Sequence, residues 1–122
     1  MAQAKAAVAA LTETQRRDLT IVGITLDPEN DTPERLTDMA VGQKIGAPMW
    51  NLVTGEPAKV ERVLDLLSVE RQRDPETGVI DHSNLFILVD REGRVAYRLT
   101  LGKQQQLWLI SALQVLLAEP AR

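Results

Sequence analysis

No cysteine occurs among these 122 residues. Disulfides, thiolate nucleophiles and zinc–thiolate sites built from these residues are therefore excluded, while the redox compartment stays open. Aromatics are almost as scarce. Trp50, Phe86, Tyr97 and Trp108 are the whole set, too few for the platforms on which nucleic-acid bases stack. Positive charge is outweighed, and a net charge of −3 argues against a nucleic-acid surface, which favours basic residues. No apolar run approaches the ~18 residues of a membrane-spanning helix. Met1 to Ala10 is Ala-rich but lacks the apolar h-region of a signal peptide. Histidine occurs once, at His82.

What is present reads as one soluble domain. Hydrophobic residues make up 44% and charged residues 25%, ordinary values for a globular chain of this size. Ala4, Ala7 and Leu11 fall at helical spacing, which predicts a helix over Ala2–Arg17 that begins without an N-cap residue. Leu19–Leu26 is rich in Ile, Val and Leu and reads as a strand buried on both faces. Asp27-Pro28 ends it. Asp31-Thr32-Pro33-Glu34 then opens a helix, with Thr32 or Asp31 as N-cap and Pro33 in the first turn. That helix runs to about Ile45 and stops at Gly46.

A short strand follows at Met49–Val53, closed by Thr54-Gly55. Glu56–Leu67 is amphipathic, with Val60, Val63, Leu64 and Leu67 on the core face. Ser68–Gly78 is charged and holds Pro75 and Gly78, so it reads as an exposed loop. Asn84–Val89 and Arg94–Leu101 form a hairpin around Asp90-Arg91-Glu92-Gly93. Leu107–Leu117 closes the chain as a helix that Gln104-Gln105-Gln106 starts, with Leu109, Leu113, Leu116 and Leu117 apolar. No repeat or linker interrupts this order, so residues 1–122 are expected to form a single domain. Alternating helices and strands imply an α/β fold, with a mainly parallel sheet, flanking helices and a C-terminal β-hairpin.

Two stretches carry more than fold. Ile24-Thr25-Leu26-Asp27-Pro28 is followed by Asp31-Thr32-Pro33-Glu34, and later Val79-Ile80-Asp81-His82-Ser83 places the histidine at the mouth of an apolar strand. With Trp50-Asn51-Leu52-Val53-Thr54-Gly55 and Leu88-Val89-Asp90-Arg91-Glu92-Gly93-Arg94, these stretches resemble the Sco/SenC family of thioredoxin-like copper proteins over nearly the whole chain. The pairing of the two motifs in this order is specific; either alone is weak. The resemblance implies a thioredoxin-like fold. It also implies copper delivery to the copper-bearing subunit of cytochrome c oxidase, or thiol–disulfide maintenance of its copper site, with that subunit or another assembly factor as partner. It places such proteins in the periplasm, tethered to a membrane and facing it, or in the mitochondrial intermembrane space. It does not imply an enzyme, beyond thiol–disulfide exchange where a CxxxC motif exists.

The family's CxxxC motif, at the start of its first long helix, has no counterpart among these residues. The expectation is an N-terminally truncated Sco-like domain, lacking the N-terminal strand and the motif and inactive as given. Family members hold copper with two thiolates and an imidazole, soft donors suited to Cu(I) beside one that serves both oxidation states. His82 matches the imidazole and is expected to be a metal ligand of an incomplete site. Asp81 could fix its tautomer from the second coordination sphere, although a solvated loop aspartate is the plainer reading. Asp27 lies beyond the C-terminal end of a strand, where α/β sheets place their sites, and could face the histidine loop. Asp31 reads as a helix cap, and Met39 and Met49 as core filler rather than copper ligands. Glu70-Arg71-Gln72-Arg73-Asp74 reads as a solvated loop, with partner docking as the sharper alternative.

Two rival functions remain. One is a metal-free binding module that docks an assembly partner. The other is a thiol peroxidase-like enzyme of the same fold, which the lack of cysteine opposes. A missing central strand would leave neighbouring strands unpaired, so either a homo-oligomer formed through those edges or a poorly stable monomer is expected in place of a well-folded monomer.

Overall fold

Thr12 stops the first helix. Its hydroxyl accepts from the Gln15 N–H at 3.1 Å and the Gln15 side chain accepts from the Thr12 N–H at 2.9 Å, a reciprocal cap that starts a new helix. The expected single helix over Ala2–Arg17 is therefore two, α1 (Ala2–Ala9) and α2 (Glu13–Arg17). As expected, α1 begins without a side-chain cap. Arg16 satisfies carbonyls at the end of α1, donating to Val8 O at 3.2 Å and Leu11 O at 2.7 Å. The computed structural model describes residues 1–82 and 85–120, with His82 described by its backbone alone. Ser83 of the histidine motif and Asn84 at the expected strand start lie outside the described residues.

The remaining elements are β1 (Ile21–Ile24), α3 (Pro33–Gln43), β2 (Trp50–Val53), α4 (Pro57–Leu66), β3 (Arg71–Arg73), β4 (Ile80–His82), β5 (Leu85–Val89), β6 (Val95–Thr100) and α5 (Lys103–Leu117). The strands form three two-stranded sheets: β1 with β2, β3 with β4, and β5 with β6. The parallel part of the expected sheet is the β1–β2 ladder, in register from Ile21 opposite Trp50 to Ile24 opposite Val53. The helix α3 lies between those strands in the chain, as a parallel pair requires. The other two ladders are antiparallel because short turns join their strands.

Packing divides the chain into two units, Met1–Leu19 with Asn84–Arg122, and Thr20–Ser83. In the first, Ala7, Leu88, Leu109 and Ala112 are buried together, with Phe86, Leu99, Ile110, Leu113 and Leu116 packed around them. Gln3 joins α1 to the start of α5, its side chain donating to Gly102 O and accepting from Gly102 N–H, both at 3.2 Å. Arg91 in the β5–β6 turn donates to the carbonyls of Leu117 and Glu119 at 3.3 and 3.1 Å, groups that a helix end leaves without internal partners. The turn is closed by Asp90, whose carboxylate accepts from Glu92 and Arg94 N–H, with Gly93 at positive φ.

In the second unit Leu36, Val60 and Leu64 are the buried apolar residues. Thr32 is the N-cap of α3, its hydroxyl accepting from Arg35 N–H at 3.2 Å, with Pro33 at the first position. That helix stops at Gln43, earlier than expected, because Lys44 turns left-handed with φ 57°. Three burial expectations change here. Val22 is 54% exposed, so β1 is not covered on both faces; a continuous apolar run does not distinguish one covered face from two. Met39 is 45% exposed rather than core filler, since Leu36 alone takes the buried position of α3. Met49 is half-buried. On α4 the core face reduces to Val60 and Leu64, with Val63 exposed and Leu67 half-buried.

Ser68–Gly78 is not simply a loop. It contains β3, which pairs with β4 in the register Arg71 opposite His82, Gln72 opposite Asp81 and Arg73 opposite Ile80. Asp74 makes the turn between them: its carboxylate accepts from Glu76 N–H at 2.8 Å and its carbonyl from Gly78 N–H at 2.8 Å. The last helix, α5, starts at Lys103 and takes in Gln104–Gln106 as expected, since these residues are sound helix formers.

Candidate functional site

The candidate site lies within the second unit, where the end of β1 meets the β3–β4 ribbon. The β1 end is a closed network. Thr25 is buried, and its hydroxyl donates to Asp31 Oδ2 at 2.6 Å while accepting from the Asp27 N–H at 3.0 Å. Asp31 thus anchors the turn after β1, and capping of α3 falls to Thr32. Asp27 accepts from the Asn30 side chain through Oδ2 and from Arg73 Nη2 through Oδ1, both at 2.8 Å. These two donors, the Asn30 amide first and the Arg73 guanidinium second, hold its carboxyl below the ordinary value of 3.8.

The ribbon is fastened at a second point. The Arg71 side chain is only 15% exposed. It donates to Val69 O at 2.9 Å and Glu61 O at 3.2 Å, and forms ion pairs with the Glu61 carboxylate and with Asp65 Oδ1, the latter at 2.8 Å. Glu61 and Asp65 are four apart on α4, so one helix face presents both carboxylates to one guanidinium. Glu61, and then Asp65, raise the Arg71 pKa further above its ordinary value. Arg73 also donates to Gly78 O at 2.8 Å across the turn. Between these fastenings lies an open cleft of about 430 Å³ lined by Leu26, Glu61, Asp65, Arg71, Arg73 and Ile80.

The expected site residues are distributed as follows. The His82 backbone ends β4 opposite Arg71, and its imidazole lies outside the described residues. Asp81 is exposed and sits opposite Gln72; its expected partner is that imidazole. Asp27 does reach the ribbon that carries His82, and does so through Arg73. Among the described residues no group of three or more His, Asp or Glu side chains is arranged to hold a metal. Sequence reasoning missed the roles of Arg71 and Arg73, because the charged run Glu70–Asp74 ahead of Pro75 and Gly78 reads as a solvated loop, and those of Glu61 and Asp65, because charges on the polar face of an amphipathic helix read as solvated. The signal was there in Arg71-Gln72-Arg73 and Val79-Ile80-Asp81 flanking Asp74-Pro75-Glu76-Thr77-Gly78, two short segments around a turn.

The arrangement ties separate segments of the unit together through ion pairs. Two guanidinium groups face three carboxylates, each engaged in an ion pair. These pairs hold the ribbon strand in place, with one carboxylate more than there are guanidinium groups.

Comparison with known proteins gives this geometry a context. A family model described as SCO1/SenC matches residues 1–117. An SCO2-like protein of Rickettsia prowazekii is 34% identical over 82 residues, 63% of this chain and 38% of that protein. The chain therefore spans well under half the length of that curated relative. The structure of Bradyrhizobium japonicum ScoI with copper bound superposes with a TM-score of 0.76 at 21% identity, over 93% of this chain and 71% of that one. The solution structure of the apo Sco1 protein from Thermus thermophilus gives 0.74 at 24% identity, over 93% and 67%. The fold is the α/β thioredoxin-like fold of these proteins.

Proposed function

The chain belongs to the SCO1/SenC family, and from that premise we propose that it serves copper delivery to, or thiol–disulfide maintenance of, the copper site of cytochrome c oxidase. The family match over residues 1–117, with His82 ending the ribbon strand, carries this reading. Copper is cargo in this role, and the chain acts as a chaperone rather than an enzyme. His82 is the proposed ligand, with Asp81 and Asp27 beyond it. The oxidase's copper-bearing subunit or another assembly factor is the proposed partner, met in the periplasm at a membrane or in the mitochondrial intermembrane space.

The donors on these residues do not fit a complete copper site. There is one imidazole and no cysteine, whereas a site selective for Cu(I) is built from several soft ligands. Of the three methionines, Met1 and Met39 are exposed. These residues alone therefore do not supply a metal-transfer site. The same shortage favours a second reading, a module that docks an assembly partner without metal.

A competition titration against a Cu(I) chelator separates the two. The chain alone is expected to bind Cu(I) weakly or not at all. Joined to an upstream CxxxC segment, it is expected to gain a site that His82→Ala abolishes. Tight one-to-one binding by the chain alone that survives His82→Ala, or a restored site indifferent to that change, would overturn the assignment of His82.

A further inference from the structure

We propose that Arg71 and Arg73 are positioning residues that hold the His82 strand in place, a proposal that rests on the reading of His82 as the ligand. A three-residue antiparallel ribbon has little stability of its own, since even longer isolated hairpins are marginal in water. Here β3 and β4 are three residues each. Yet the ribbon is tied at both ends of β3. Arg71, opposite His82, is anchored to Glu61 and Asp65 on α4. Arg73, opposite Ile80, is anchored to Asp27 after β1 and to the Gly78 carbonyl in the ribbon's own turn.

The arrangement has a direction. The two arginines are i and i+2 on one strand, so they share one face of the ribbon. One reaches a helix and the other reaches a turn that is itself locked by Thr25, Asn30 and Asp31. The ribbon is thereby tied to two separate elements of its unit, and the backbone of His82 takes its place from them. Arg71 carries the larger share, because four acceptors surround a guanidinium largely withdrawn from water. Lysine would not replace either residue, since one point charge cannot meet the planar, divergent set of acceptors each guanidinium holds.

Amide hydrogen exchange read by NMR on the 122-residue chain tests this. In Arg71→Ala, Arg73→Ala and Asp27→Arg, the β3 and β4 amides are expected to exchange about tenfold faster, as loss of charge-assisted hydrogen bonds implies. The His82 amide cross-peak should move toward its random-coil position, while the Val60 and Leu64 amides of α4 keep theirs. The double change Arg73→Asp with Asp27→Arg should return both readouts toward the original. Unchanged β3 and β4 exchange in the single variants, or no recovery in the charge-swapped pair, would overturn the proposal. The copper titration reads the His82 imidazole and the exchange measurement reads the Arg71 and Arg73 anchors, so failure of the ligand reading leaves this measurement able to stand or fall by itself.

Discussion

Asp27 is held by two donors, and they set how it titrates. Because the Asn30 amide and the Arg73 guanidinium lower its pKa below 3.8 in the folded chain, the carboxylate contributes stability at every pH above its unfolded value. That contribution is lost as pH falls through the lower, folded value. Asp74 follows the same sign, held down by the backbone N–H of Glu76 and then Thr77. Both sit where the ribbon is tied or turned. Ribbon amide protection is therefore expected to be level from neutral pH down to the ordinary carboxylate range and to fall only below it. An NMR titration of the Asp27 and Asp74 carboxyl carbons measures this directly. A midpoint at or above 3.8 for Asp27 would show that its two donors are not engaged in solution.

At the scale of elements, α3 depends on its first residue. Thr32 caps it and Pro33 presets the first turn, while its single buried side chain, Leu36, contributes little packing to offset a weak start. Thr32→Ala is expected to destabilise the second unit by about 1 kcal/mol, the usual cost of losing such a cap. Thr32→Ser, which keeps the hydroxyl, should cost much less. Urea denaturation of the three proteins gives the comparison, and equal midpoints would mean that tertiary contacts alone hold the helix. The cap was legible because Thr-Pro-Glu has few other uses at that spacing. The β3–β4 ribbon was not, because its strands are three residues each and its side chains are charged.

For the molecule as a whole, no large side chain among the described residues is completely buried. Each sheet has only two strands, so each strand shows one edge without a ladder among the described residues. Two-stranded sheets are marginal alone, and unpaired edges invite pairing with a second chain. The chain is expected either to melt below the ~45–65 °C range of mesophile domains or to sediment as an oligomer. Sedimentation combined with a thermal melt decides. A monomer that melts cooperatively inside that range would show that the exposed edges carry no penalty.

The sequence by itself determined the order of the main elements, the caps and turns, and the family. Thr32-Pro33, Asp90–Gly93 and the apolar spacing of Val60 and Leu64 act locally, through hydrogen bonds and periodicity that span a few residues. The break at Thr12 is equally local, set by a Thr-x-x-Gln pair that the continuous Ala-rich pattern around it masks. Only the tertiary structure decided that Arg71 meets Glu61 and Asp65, that Arg73 meets Asp27 46 residues away, and that Val22 and Met39 face outward. An ion pair or a covered face depends on which distant segments come together. Charge and hydropathy at one position do not record that.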